Sequence, residues 1–346
     1  MSTSSRRQRH RTACAFPAGL LLALAACGEG DPLGPLTPGT PQPPSGPSLG
    51  AVAGDVWTAR APLPTARGRL AVGVVNGVLY AIGGDNGSAL AAVEAYTPGN
   101  NAWTTRAPLP APRSHLNAGV IDGVLYAAGG LDASGQPTGT LYAYDARTNT
   151  WTAKAPMPTP GGCGASGVID GRLYVFTTDC RESQLGADPA FQRYDPKTNS
   201  WDALSLPAYG HFLPAAGVVG GKLYLAGGLF ATTDPIGNIG QNVEAYDPAT
   251  DLWMTKAQAP SVRYQTAGAV VNGLFYVLGG GTGTEYAALV DAYDPKTDTW
   301  RSLAGMPTPR GFLAAASLGG KVYAVGGIDL SAAVAANEAY TPGRGP

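Results

Sequence analysis

The sequence has little charge. Lys, Arg, Asp and Glu make up 14% of its 346 residues, and the formal net charge is −1. The basic excess of a nucleic-acid-binding surface is therefore missing. Histidine is scarce at 3 residues and cysteine at 4. No pair of acids, Ser-His-Asp set, phosphate loop or metal-ligand spacing stands out. Gly279-Gly280-Gly281 with Gly283 is glycine-rich, but it follows a strand-like run and leads into no helix, so it lacks the setting of a nucleotide loop. The sequence thus assigns no catalytic residue, no metal ligand and no cofactor. The N-terminal apolar run, Ala13 to Ala26, falls short of the ~20 residues a spanning helix needs.

Glycine and proline are abundant, at 49 and 30 residues. Most of the glycine sits at fixed places in a stretch written six times. Tryptophan falls only at Trp57, Trp103, Trp151, Trp201, Trp253 and Trp300, at intervals of 46 to 52 residues. Tyr80, Tyr126, Tyr174, Tyr224, Tyr276 and Tyr323 keep the same beat. So do Tyr96, Tyr144, Tyr194, Tyr246, Tyr293 and Tyr340. A period of that length means a propeller or a solenoid. The copies fill Val56 to Tyr340, so one repeat domain over 55–346 is expected rather than two domains.

Each copy encodes four strands. The first ends at a two-residue turn: Asn76-Gly77, Asp122-Gly123, Asp170-Gly171, Gly220-Gly221, Asn272-Gly273 or Gly319-Gly320. These pairs suit type I′ hairpins. The second strand is nearly all apolar, as in Val78-Leu79-Tyr80-Ala81-Ile82, which fits a sheet covered on both faces. It ends in Gly-Gly, except in the third copy, which has Thr177-Thr178. The third strand reaches the Tyr-Asp-Pro type sequence, and the fourth carries the Trp. Four residues before the second turn residue stand Gly73, Gly119, Gly167, Gly217, Ala269 and Ala316. Small residues there fit innermost strands crowding round one axis. Trp57 precedes the first full copy and the last copy lacks a Trp. The strand near Val56 to Ala59 should therefore complete the final blade and close the ring.

The Gly-Gly pair, the later Tyr and the later Trp at this period resemble kelch repeats. The resemblance covers Val56 to Tyr340. It implies an all-β, six-bladed kelch-type propeller with four antiparallel strands per blade.

The first 26 residues resemble a bacterial lipoprotein signal peptide. Arg6, Arg7, Arg9 and Arg11 precede the apolar run, which ends Leu24-Ala25-Ala26-Cys27. The resemblance implies cleavage before Cys27 and lipid attachment there. It places the chain in the cell envelope, with the outer membrane favoured by Gly28. Residues 27–54 hold seven prolines and seven glycines and are expected to form a tether. Removing four arginines and no acid takes 23 basic residues to 19 against 24 acids.

Ten residues before the second turn residue stand Arg67, Arg113, Gly161, His211, Arg263 and Arg310. Two residues later come Arg69, His115, Cys163, Leu213, Gln265 and Phe312. In a closed propeller both sets should ring one mouth of the channel. Arg67, Arg69, Arg113, His115, His211, Arg263 and Arg310 are therefore candidates for binding an anion, since guanidinium grips carboxylate bidentately. The competing role for the arginines is to tie blades together through a carbonyl or an acid such as Asp85 or Asp329. Glu94, Glu244, Glu338 and Asp291 recur two residues before the third-strand Tyr, which suggests a part in blade packing. Cys163 and Cys180 fall close across a hairpin, and in an exported protein they are expected to pair.

These features favour a non-catalytic binding propeller, monomeric, with no nucleic-acid partner and a membrane contact only through lipid. Its ligand would be a protein or an anionic glycan or carboxylate. One alternative is a sugar mutarotase similar to the kelch-type sialic-acid epimerases. Another is an enzyme like galactose oxidase. That would need two histidine ligands, and downstream of Cys27 only His115 and His211 remain, in different blades.

Overall fold

The computed structural model describes residues 55–181, 188–229 and 240–343. Residues 1–54, with the expected signal, Cys27 and the tether, lie outside them. Twenty-four strands in the described residues form six four-stranded antiparallel sheets. Blade 1 comprises β2 (Ala71–Val75), β3 (Val78–Ile82), β4 (Val93–Thr97) and β5 (Ala102–Thr105), paired in that order. Blades 2 to 5 repeat it. The last blade joins β22 (Ala314–Leu318), β23 (Lys321–Val325) and β24 (Asn337–Thr341) to β1 (Val56–Ala59). The register puts Trp57 opposite Tyr340. The two ends of the propeller are thus knitted into one sheet, as the misplaced first Trp required.

Each hairpin turn has positive φ at both central residues, for example 51° at Asn76 and 76° at Gly77. That is the type I′ geometry the Asn-Gly and Asp-Gly pairs favour. The cores lie between blades. The strand equivalent to β3 is buried along nearly its whole length in every blade. The small residues of the first strand have a different cause from the crowding expected at the axis. A Cβ on Gly73 would stand 2.4 Å from Leu125 and 3.1 Å from Val120, both of the next blade. Neighbouring sheets, not the shaft, demand glycine there. Gly83, which opens the Gly-Gly pair, has φ of 58°, and a Cβ would meet the Arg113 carbonyl of the next blade at 2.6 Å.

Two circles of hydrogen bonds run through the six blades. The outer one uses tryptophan. Trp103 Nε1 donates to the Ala61 carbonyl at 2.8 Å, Trp151 to Ala107 at 3.0 Å, and Trp201 to Ala155 at 2.8 Å. Trp253 donates to Ser205, Trp300 to Ala257 and Trp57 to Ala304, which closes the circle. Each acceptor lies four residues past the preceding Trp. Beside this circle the third-strand Tyr donates its hydroxyl to an Asn or Asp five residues on, such as Tyr96 to Asn101 at 2.7 Å. In the closing blade Tyr340 reaches Asp55 instead.

The inner circle is backbone. Arg69 N–H donates to the Phe312 carbonyl, His115 to Arg69, Cys163 to His115, Leu213 to Cys163, Gln265 to Leu213 and Phe312 to Gln265. All six residues have φ between 49° and 60°. This left-handed conformation is costly for residues with a side chain, and the closed circle holds them in it. Substituting Trp103 by Phe keeps the ring packing and removes one outer link. The expected loss is about 1–2 kcal/mol by urea unfolding; an unchanged midpoint would contradict a stabilising role for that link.

Candidate functional site

The inner circle forms the floor of a mouth at one end of the channel. Its six side chains and the residues following them line a cavity of about 90 Å³. The side chains at Arg69, His115, Cys163, Leu213, Gln265 and Phe312, all with positive φ, line it together. The second set of residues expected from the repeat therefore does converge on the mouth.

The first set does not stand free there. Arg67 and Arg310 have 0% of their surface exposed, and Arg263 has 2%. Arg67 is paired with Glu94, Arg263 with Asp291, and Arg310 with Glu338 at 2.7 Å. Arg310 also donates to the carbonyls of Gly326, Thr308 and Ala324. Burial lowers the proton affinity of these three guanidinium groups, and the facing carboxylates oppose that. In blade 4, His211 Nε2 lies 3.0 Å from Glu244 and Nδ1 lies 2.7 Å from the Gly227 carbonyl oxygen. The recurring acids before the third-strand Tyr are thus the partners of the recurring cations. The pairing lies within each blade, not with Asp85 or Asp329 as the competing role supposed. Asp329 instead caps its own loop, accepting from the backbone of Ser331 and Ala332.

Blades 2 and 3 show the same logic by exception. Gly161 replaces the cation of blade 3, and Gln192 stands where the acid would be. Its amide exchanges two hydrogen bonds with the backbone of Thr159, both 3.0 Å. Tyr142 replaces the acid of blade 2. There Arg113 is also buried, and it donates to the Pro112 carbonyl and to Thr140 Oγ1. The ring of cations expected at the mouth thus reduces to one guanidinium. Arg69 keeps 29% of its side chain exposed, pairs with Asp85 at 2.8 Å and stacks over Phe312 at 4.3 Å from the ring centre. His115 meets the other side of the mouth, edge-on to Phe312 at 5.9 Å. Burial, aided by the Arg69 charge, pushes its pKa down to about 3, so the imidazole is neutral at physiological pH.

Three residues lining this cavity carry a buried polar atom without a protein partner: Arg69 Nε, Gln265 Oε1 and Thr266 Oγ1. The register of the repeat puts Gln265 at the mouth without marking it as a binding group, and Thr266 is not expected there at all. Cys163 and Cys180 are joined as a disulfide with Cα atoms 5.6 Å apart. Cys163 sits in a bulge, where the register shifts between Gly162 and Ala165. A larger depression of about 600 Å³ lies off the axis, among Gln136, Thr159, Asp179 and Asp188.

The kelch motif matches residues 66–110, 112–158, 212–258 and 263–307, together more than half of the chain. The chain belongs to the kelch family. The stretches without a match are the third blade, which lost its Gly-Gly and its cation, and the blade shared between the two ends. No curated protein matches the sequence. Among solved structures, that of YjhT is similar with a TM-score of 0.69 and 18% identity. The likeness covers 81% of this chain and 96% of that one. At that identity it concerns the fold.

The buried kelch pairs make a direct prediction. Glu338→Leu strands the Arg310 charge and should cost about 3–5 kcal/mol. Arg310→Met with Glu338→Leu should cost markedly less than that single change. Urea unfolding of the two variants checks this, and an equal or larger cost for the double variant would contradict it.

Proposed function

We propose that this kelch propeller is a non-catalytic binding module whose ligand enters the mouth of the channel and presents a compact polar group, a carboxylate being the best fit. The observation carrying this is the set of unsatisfied atoms around one small cavity. Arg69 Nε and Thr266 Oγ1 offer donors to a carboxylate, and Gln265 Oε1 an acceptor for a hydroxyl or amide N–H beside it. Buried polar atoms without partners are costly, and such convergence favours a polar occupant. Arg69 is already oriented by Asp85 and Phe312, so little side-chain freedom is lost on binding. A glycan or a protein could carry the recognised group.

A glycan and peptide array, followed by calorimetric titration of the hits, tests this. Arg69→Ala should weaken binding by roughly tenfold, about the worth of one hydrogen bond to a charged group, and Gln265→Ala by less, the worth of a neutral one. Hits that bind both variants as well as the parent would place the ligand elsewhere. The alternative of a sugar mutarotase has less support at the mouth. Its one imidazole, that of His115, titrates near pH 3, far from the range useful for proton transfer at neutral pH. Mutarotation of N-acetylneuraminate anomers followed by NMR should match the rate in buffer; faster exchange would favour that enzyme.

We further propose that the propeller is lipid-anchored through Cys27 in the bacterial cell envelope, on the outer membrane. The order of arginines, apolar run, small residues and cysteine supports this. A disulfide at Cys163 and Cys180 fits an oxidising compartment. Metabolic labelling with a fatty acid should mark the chain, and Cys27→Ser should abolish the label. Label retained by that variant would remove the proposal.

A further inference from the structure

We propose that His115, Cys163 and Cys180 form a site for a thiophilic monovalent cation, Cu(I), which fills when the Cys163–Cys180 disulfide is reduced. One donor atom from each of the three residues lies within 4.8 Å of the others. The spacing is set by the fold. His115 and Cys163 are consecutive members of the inner circle, linked by the Cys163 N–H to His115 carbonyl bond of 3.3 Å. The Cys163 carbonyl is held in turn by Leu213 N–H at 2.8 Å. Cys180 comes from the end of the neighbouring strand and reaches over Gly162. A Cβ at Gly162 would stand 2.7 Å from the His115 carbonyl oxygen and 3.1 Å from Cys180 Sγ, so glycine keeps the space in which the three groups meet.

The imidazole is held in place. Ser114 Oγ lies 3.3 Å from its Nδ1, and Phe312 packs edge-on against the ring. The two sulfurs sit in an apolar cluster with Phe212, packed by Leu131, Leu213 and Leu229. Two thiolates and an imidazole in apolar surroundings suit a soft cation. Among the described residues the cluster offers three ligands and no carboxylate as a fourth. Zn(II) prefers four, whereas Cu(I) is satisfied by trigonal coordination.

The chemistry balances with a dithiol as reductant. The dithiol passes two electrons and two protons to the Cys163–Cys180 bond and closes to its own cyclic disulfide. The S–S bond breaks to give two thiols. On loading, each thiol releases its proton to solvent, two S–Cu bonds and one N–Cu bond form, and copper keeps its oxidation state. The disulfide form has no thiolate to offer. The site is therefore open to metal only in the reduced protein, and this holds whether or not the mouth binds a carboxylate.

The test uses the full chain with Cys14 and Cys27 changed to Ser, reduced under anaerobic conditions. Cu(I) is titrated in competition with a chromophoric chelator. One equivalent should bind, with X-ray absorption showing two sulfur neighbours and one nitrogen neighbour. The oxidised protein should take none. Cys163→Ser with Cys180→Ser should abolish binding, and His115→Gln should weaken it more than about a hundredfold, beyond the usual cost of disturbing an outer-shell partner. Far-ultraviolet circular dichroism checks that each variant is folded. Absence of stoichiometric binding by the reduced chain would overturn the proposal. So would binding kept by the double serine variant, or a His115→Gln variant with unchanged affinity and no loss of nitrogen.

Discussion

Six similar sheets stay in one ring because each is bonded to the next at two radii. At the rim a tryptophan indole reaches a carbonyl of the neighbouring blade. At the hub a backbone N–H reaches a carbonyl of the preceding hub residue. Both circles have six members, and both depend on the closing sheet, where Trp57 of the N-terminal strand lies beside Tyr340. The hub asks six non-glycine residues to adopt a left-handed backbone. That cost is borne because closure satisfies an N–H and a carbonyl at every position, in a place where neither sheet nor solvent would do so easily.

The hub also decides which side chains line the mouth. Those of Arg69, His115, Cys163, Leu213, Gln265 and Phe312 line it together. Two residues earlier in the chain, three arginines and His211 turn into their own blades and meet Glu94, Asp291, Glu338 and Glu244. A guanidinium with no exposed surface contributes nothing to capture of an anion from solution. It fastens the incoming loop to the second and third strands instead. Most of the chain's few cations near the axis are therefore structural, and in the proposed reading recognition falls to a mixed set of one guanidinium, one amide, one hydroxyl and two rings.

The blades were legible because their markers do local jobs. Asn-Gly forces a turn, Gly-Gly makes room for the next blade's backbone, and Trp and Tyr supply one donor each to the rim. The closing strand could be read from the same count, since a rim of six links needs six tryptophans. The fate of the arginines was harder to read. Arg310 and Glu338 stand 28 residues apart, and nothing local joins them. A signal was present within the chain itself: the third copy loses cation and acid together, as Gly161 and Gln192. The unmet hydrogen bonds of Gln265 and Thr266 gave no signal, because such a bond exists only after the fold has removed water from it.

Ring closure can be tested most directly by cross-linking its two ends. Val56 and Thr341 are register partners in the closing sheet. With Cys14 and Cys27 changed to Ser, cysteines placed at these two positions should oxidise within one molecule and raise the unfolding temperature. Thiols that stay free, or that link only between molecules, would contradict a propeller closed by its N-terminal strand.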